Sequence, residues 1–444
     1  MANGIATTRL VSAMAGSGMM GFFGSAGLSL DRVGAAIQEI QKDLQGRDLP
    51  FGVNLIHSLE DPAFEEAMVD LFLKTGVRRV DASAFMQLSP AAVRYSVTGL
   101  RPGPGGTVLR QNHLFAKISR AEVARPFMSP APPELLAVLF HEGKLSEQEV
   151  QLAARVPVAA DIIVEADSGG HTDNRPLSAT FRSICKLRDE LGRLHSYSEP
   201  VRVGAAGGIG TPAGVAAAFS LGASFVLTGS INQCAVESGT SDAARAMLAQ
   251  AEVCDVAMAP AADMFELGVK VQVLKKGTLW PVRAQKLFEL YRGHESFEAI
   301  PAAEREKIER DILRDSFENV WQSTREFFQG RDPRQVERAE RDAKHRMALV
   351  FRWYLGMGSR WAMQGETSRQ ADFQIWCGPA QGAFNEWARG SFLEAPECRS
   401  AVQIGLNLME GATAVVRAQQ FRNFGLELDG SAYDFRPRKL EVTP

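Results

Sequence analysis

Three short segments of the 444-residue chain gather residue types that can do chemistry. The first is Val201-Arg-Val-Gly-Ala-Ala-Gly207-Gly208-Ile-Gly-Thr-Pro212, an apolar run that ends in paired glycines and leads into a helix start at Thr211-Pro212. Glycines let a ligand approach the backbone closely, and a helix N-terminus offers unpaired N–H groups to a phosphate. The second, Phe225-Val-Leu-Thr-Gly229-Ser230, repeats the pattern after one helix. Either segment alone is equally well explained as a tight strand-to-helix turn. Two of them in succession favour a phosphate, and a cofactor with one monophosphate, such as FMN, fits better than a dinucleotide. Gly208-Ile-Gly210-Thr-Pro-Ala213 also matches the dinucleotide pattern G-x-G-x-x-A, but it comes late and no acidic residue follows until Glu237.

The third segment, Ile162-Ile-Val-Glu165-Ala-Asp167-Ser168-Gly169-Gly170-His171, carries two acids on a strand and then a Gly-Gly-His turn. There the His171 ring can meet a ligand and titrate near neutral pH. A surface histidine capping a helix over Pro176–Leu191 explains the position as well. Asn54 and Lys117 are polar residues inside apolar strands, which need buried partners. For Lys117 these are a flavin ring or phosphate, or an ion pair with Glu165 or Asp81. His57 and His113 read as packing or surface residues. Lys270, Lys275 and Lys276 can meet an anionic partner, although most such lysines are simply solvated.

The elements that position these residues alternate. Apolar runs at 19–23, 51–56, 77–83, 113–119, 161–167, 201–206 and 225–230 read as strands covered on both faces of a parallel sheet. Helical stretches at 29–44, 62–74, 133–154 and 211–221 lie between them. This predicts an α/β fold, a TIM (β/α)8 barrel whose first strand is missing, with an open doubly wound sheet as the alternative. All six tryptophans lie at or beyond Trp280, where charged amphipathic patterns over 304–328 and 335–351 predict long helices. The expected domains are a barrel over 1–289, an all-helical domain over 290–425 and an extended tail over 426–444.

Lys plus Arg is 49 against 52 for Asp plus Glu, which gives no electrostatic reason to expect nucleic acid. Five dispersed cysteines with no CxxC pair, and scattered histidines, argue against a disulfide framework or a bound metal. Glycines interrupt the two long uncharged stretches, 10–30 and 203–236, so neither reads as a signal or membrane segment. The expected location is cytoplasmic.

The combination Gly52-Val-Asn-Leu, Glu165-Ala-Asp-Ser-Gly-Gly-His171, Gly204-Ala-Ala-Gly-Gly-Ile-Gly and Thr228-Gly-Ser resembles the 2-nitropropane dioxygenase-like flavoproteins. These include nitronate monooxygenases and FMN-dependent bacterial enoyl-carrier-protein reductases. More narrowly, Ala259-Pro-Ala-Ala-Asp-Met-Phe-Glu, Gln272-Val-Leu-Lys-Lys-Gly-Thr and Gln374-Ile-Trp-Cys-Gly-Pro-Ala resemble the PfaD-type trans-acting enoyl reductases of polyketide and polyunsaturated fatty acid synthases. The resemblance runs from Met1 to about Gly425.

It implies an FMN-holding TIM barrel that reduces an enoyl thioester with NADPH. Ala2, Asn3 and Gly4 would form the first FMN-contacting loop. Asn54, Lys117 and Glu165 would surround the isoalloxazine and ribityl, and Ser168, Gly169 and Gly170 would line them. Gly207, Gly208, Gly229 and Ser230 would hold the phosphate, and His171 matches the family's active-site histidine. The implied partners are a synthase and its acyl carrier protein, with Lys275 and Lys276 as a docking patch. The alternative activity is that of a nitronate monooxygenase. The sequence leaves the oligomeric state open, a homodimer among the options.

Overall fold

The computed structural model describes residues 1–45, 47, 49–57 and 61–442. Its contacts form two compact units: Met1–Ser168 with Asp173–Gly239 and Ala383–Pro444, and Gly169–Thr172 with Thr240–Gly382. This division differs from the boundary at 289/290 expected from composition. The chain leaves the first unit at Thr240 and rejoins it at Ala383.

In chain order the strands are β1 (Gly21–Phe23), β2 (Phe51–Ile56), β3 (Arg79–Ser83), β4 (His113–Ile118), β5 (Asp161–Glu165), β6 (Gly170–His171), β7 (Arg202–Ala206), β8 (Val226–Leu227), β9 (Val256–Pro260) and β10 (Lys270–Leu274). The first unit holds one parallel sheet in the order β1-β2-β3-β4-β5-β7-β8, with a strand in each of the seven stretches predicted. Val53, Val80, Leu114, Ile162 and Val203 are fully buried on the face covered by helices. The other face encloses a second apolar cluster of Phe115, Ile163 and Ala206, packed by Met20, Phe22, Phe225 and Leu227.

That cluster curls the sheet. Phe115 on β4 meets Phe22 of β1 edge to face at 5.3 Å, and Phe225, next to β8, at 6.0 Å. A flat sheet would hold the first, fourth and last strands too far apart to share one ring cluster. Gly52 and Gly204 make room for it, since a Cβ at either position would run into the Phe22 or Phe225 ring. The result is a TIM-barrel-like curled sheet of seven strands whose edges are β1 and β8. The ring of helices closes over that gap. The helix Ala401–Asn423 packs on the helices Pro212–Ser220 and Thr8–Gly16. Its small residues permit the approach: a Cβ at Gly411 would lie 2.6 Å from Pro212, and one at Gly405 would lie 2.6 Å from the Met19 sulfur. This helix, expected in the helical domain, thus belongs to the barrel unit. The following segment lies along it, with Asn407 accepting from the Arg438 backbone N–H at 2.8 Å.

The second unit builds a small antiparallel sheet, β9-β10-β6, which sequence periodicity did not show. Its helices begin and end at other places than predicted. The expected helix over 304–328 ends in a turn of π-helix and breaks at Arg314, which adopts φ 57°. The expected helix over 335–351 is split where Asp342 caps a new one, its carboxylate accepting from the His345 N–H at 3.0 Å. Among the described residues no helix is long and apolar enough to cross a membrane.

His113 opens β4 at the end of the barrel where the strands begin. Burial, then the charges of Arg79, Arg110 and Arg202, lower its pKa from 6.5 to about 4. The unfolded chain takes up this proton near 6.5 and the folded one only near 4, so stability is lost as pH falls through that window. Chemical denaturation between pH about 7 and about 5 should show the wild type losing roughly 2 kcal/mol that His113→Gln retains. Equal pH slopes for the two proteins would contradict the assignment.

Candidate active site

Four neighbouring strands each deliver one polar side chain toward their C-terminal ends: Asn54 on β2, Asp81 on β3, Lys117 on β4 and Glu165 on β5. The Asn54 amide donates to the Asp81 carbonyl at 3.0 Å, to the Asp81 carboxylate at 3.3 Å and to the Ser83 hydroxyl at 3.0 Å. Ser25 in turn donates to the Asn54 carbonyl. Lys117 Nζ lies 3.0 Å from Asp81 Oδ2, so the ion pair weighed against a ligand role is formed. Ser168 donates to Glu165 at 3.2 Å.

One ammonium therefore serves two carboxylates. Burial opposes the charge on Lys117, but Asp81 and Glu165 outweigh it and raise its pKa. Burial is also the main cause raising Glu165, with Asp81 adding to it and Lys117 opposing. Asp81 is 4% exposed, and its Oδ1 has no hydrogen-bond partner. This orphaned acceptor is the kind of group a bound hydroxyl or amide would satisfy. Asp81, Ser83 and Ser25 were not singled out as site residues from sequence. The only signal was that Lys117 in an apolar strand required an acid.

The two glycine turns lie side by side. In the β7–β8 register Ala205 faces Val226 and Ala206 faces Leu227, so Gly207-Gly208 and Thr228-Gly229 leave adjacent strands at the same level. Gly207 and Gly208 adopt φ +82° and +70°, and a Cβ at Gly207 would lie 2.7 Å from the Ala166 carbonyl carbon. Gly208 and Gly229 are exposed, and a Cβ at Gly229 would meet nothing within 4 Å. Thr211 caps the following helix, accepting from the Gly214 N–H at 3.2 Å. Asn232 fixes the second bend through the Thr228 carbonyl and hydroxyl at 3.1 and 3.0 Å. Ser230 opens the short helix Ser230–Cys234. The arrangement is a backbone cradle without covering side chains, which fits a phosphate-ended group. Ala2, Asn3 and Gly4 fold against the loop after β1, with Asn3 N–H donating to Ala26 at 2.8 Å and Gly4 N–H donating to Gly24 at 2.9 Å.

Gly169, Gly170 and His171 belong to the second unit, where β6 pairs His171 with Val271 of β10. A Cβ at Gly169 would lie 2.8 Å from the Cys377 N, and Gly170 adopts φ +85°, so the first glycine has a packing reason within that unit and the second a conformational one. His171 Nε2 lies 3.2 Å from the Asp263 carboxylate, with both side chains about half exposed. His171 does not cap the next helix, which runs Leu177–Leu194 and has no side-chain cap. Asp263 escaped sequence reasoning because it lies far along the chain. Beyond the turn, Asp173 accepts from Arg120 at 2.8 and 2.6 Å and from Ser119 at 2.5 Å. Chiefly through Arg120 its pKa is lowered to about 2. Lys276 is engaged by Asp255 at 3.3 Å and Glu252 at 3.5 Å, which leaves Lys275 as the outward positive charge of the pair.

Comparison with known proteins agrees with this architecture. Residues 1–83 and 143–287, more than half of the chain, match the sequence profile of nitronate monooxygenases. Residues 294–373 match the inserted helical domain of [acyl-carrier-protein] S-malonyltransferase. The enoyl reductase domain of MlnA from the macrolactin cluster of Bacillus amyloliquefaciens superposes with a TM-score of 0.91 at 39% identity, covering 95% of this chain and 94% of that one. FabK from Thermotoga maritima, at 18% identity and a TM-score of 0.51 over 96% of this chain and 93% of that one, shares the fold. The chain belongs to the nitronate monooxygenase family. Within it, the chain is of the PfaD type found with polyketide and polyunsaturated fatty acid synthases. It is 46% identical to a component of the polyunsaturated fatty acid synthase of Thraustochytrium sp. over 98% of its length and 30% of that protein. It is 45% identical to polyketide biosynthesis protein PksE of Bacillus subtilis over 95% of its length and 54% of that protein. The chain spans between about a fifth and about a half of the curated relatives it matches.

The shared ammonium predicts a coupling. Lys117→Met takes from buried Asp81 and Glu165 the side-chain ammonium they share and should cost about 3 kcal/mol or more in urea denaturation. Adding Asp81→Asn should recover part of that loss. A double variant as unstable as the sum of the singles would rule out the coupling.

Proposed function

We propose that the chain is an FMN-dependent oxidoreductase that reduces the α,β-double bond of an acyl thioester, with NADPH as electron source and an acyl carrier protein presenting the substrate. The observation that carries this reading is the pair of exposed glycine bends at the ends of adjacent parallel strands. The kinship with the MlnA enoyl reductase domain supports it.

Bound FMN would supply hydride transfer from NADPH to the β-carbon of the thioester. Gly207, Gly208, Gly229 and Ser230 would hold its phosphate through backbone N–H groups and a hydroxyl. Asn54, Lys117, Glu165 and Ser168 would bond along its ribityl and ring, the orphaned Asp81 oxygen accepting one further donor. Ala2, Asn3 and Gly4 would flank it, and Gly169 and Gly170 would line the ring. His171 would give a proton to the substrate α-carbon or a hydrogen bond to the thioester oxygen as negative charge develops there, with Asp263 orienting the imidazole. The helical segment over 294–373, similar to an insert of a carrier-protein-dependent transferase, would meet the carrier protein.

The profile match also supports a nitronate monooxygenase, in which His171 would act as base toward the α-carbon of a small nitroalkane, whose conjugate base is the nitronate. Anaerobic NADPH should bleach the flavin of the purified chain, and crotonyl thioester should restore its colour. Restoration only by oxygen with a nitronate would favour the second reading. His171→Gln should keep the flavin and its reduction by NADPH while slowing thioester reduction about 10²-fold or more.

Carriers are acidic as a class, so the exposed Lys275 favours electrostatic docking. Reversing Lys275 and Lys276 to Glu should raise KM for the carrier-bound substrate and spare a small thioester. Equal effects on both substrates would rule out the patch.

A further inference from the structure

At the opposite end of the barrel from the glycine bends, where the strands begin, the first unit holds a cavity of about 330 Å³. Its walls include Arg47, Arg78 and Arg79 and, among the described residues, no acidic one, with Leu44, Leu49 and Phe51 as apolar lining. Arg47 has a local task, since its Nε approaches the Leu44 carbonyl at a helix C-terminus at 3.5 Å. Arg78 is held in place: it donates to the Asn112 side chain at 3.2 Å, and fully buried Asn112 is itself fixed by the Tyr95 and Thr98 carbonyls at 3.1 and 2.9 Å. Arg79 is partly buried and makes no ion pair among the described residues.

Among the described residues no carboxylate forms an ion pair with Arg47, Arg78 or Arg79. Arg79, Arg110 and Arg202 all act on His113, whose imidazole is held neutral down to about pH 4, first by burial and then by these cations. Asp161, the carboxylate on which Arg79, Arg110 and Arg202 all act, is taken by Arg202 at 2.7 Å. Arg47 and Arg78 are exposed and Arg79 is partly buried, so three like charges line one open cavity, and a bound anion offsets their repulsion. Guanidinium forks match phosphate oxygens, and one fork is already oriented by a buried amide.

We infer that this cavity is a second anion site, independent of the glycine cradle, which takes the phosphate or pyrophosphate group of a small molecule on Arg78 and Arg79. Apolar Leu44, Leu49 and Phe51 provide a wall for the rest of such a ligand.

The test uses the full chain, with sodium pyrophosphate as probe and sodium chloride at equal ionic strength as control. Calorimetric titration and thermal denaturation should both report pyrophosphate binding beyond the chloride response. Arg79→Gln should fold, having lost one of the crowded cations, and should bind pyrophosphate at least about tenfold more weakly. Arg78→Gln should show the same loss. Proton NMR should show the His113 ring titrating at higher pH when pyrophosphate is bound. A response no larger than that of chloride overturns the inference. So does one that survives both arginine variants and vanishes in Gly229→Val, which would locate binding at the opposite end of the barrel.

Discussion

The pairing of β7 with β8 is the constraint on which the functional reading depends. Two parallel strands in fixed register must release their chains at the same level, so the turns that follow are neighbours whatever their sequences. Glycine then decides what the neighbours can do. At Gly207 a left-handed backbone packed against Ala166 excludes any side chain, while at Gly229 the space beyond the backbone is open. One glycine serves the fold and the other leaves room for a ligand, and their adjacency turns two ordinary turns into one cradle.

The rest of the barrel mouth follows from charge balance. A curled parallel sheet points alternate residues inward, and in the lower layers those residues are apolar or absent, as with Phe115, Ile163, Gly52 and Gly204. Above them Asn54, Asp81, Lys117 and Glu165 replace the apolar layer. Two carboxylates around one ammonium are stable only because each is also hydrogen-bonded or shifted toward its neutral form. At the opposite end of the barrel, Arg78 and Arg79, where β3 begins, line a cavity. The two ends are thus lined by different charged groups, carried at opposite ends of the same strands.

Much of this was legible in the sequence. Strands buried on both faces read as unbroken apolar runs, and each of the seven stretches holds a strand of the parallel sheet. The adjacency of the glycine turns followed from strand order alone. What escaped was whatever depends on distant partners. β9 ends in Pro260 and β10 starts at Lys270; they pair with each other, and β10 also pairs with the two-residue β6 from far upstream. The helix Thr8–Gly16 hid in an uncharged, glycine-rich stretch. The break at Arg314 depends on a left-handed residue that is not glycine, which no local pattern announces. The sequence pattern assigned 290–425 to one all-helical domain and did not show that the helix Ala401–Asn423 joins the barrel unit, because that rests on small residues meeting Pro212 and Met19. Asp263 became visible only through the partner it holds, whereas Asp81 was legible as a possible ion-pair partner of Lys117 but not as a site residue.

The central claim is that the backbone at Gly208 and Gly229 holds the phosphate of a flavin mononucleotide. An experimental structure of the purified chain carrying its flavin tests this most directly. The account predicts phosphate oxygens about 3 Å from the backbone nitrogens of both bends. Density for the phosphate at any other part of the chain, with the two bends empty, would contradict it.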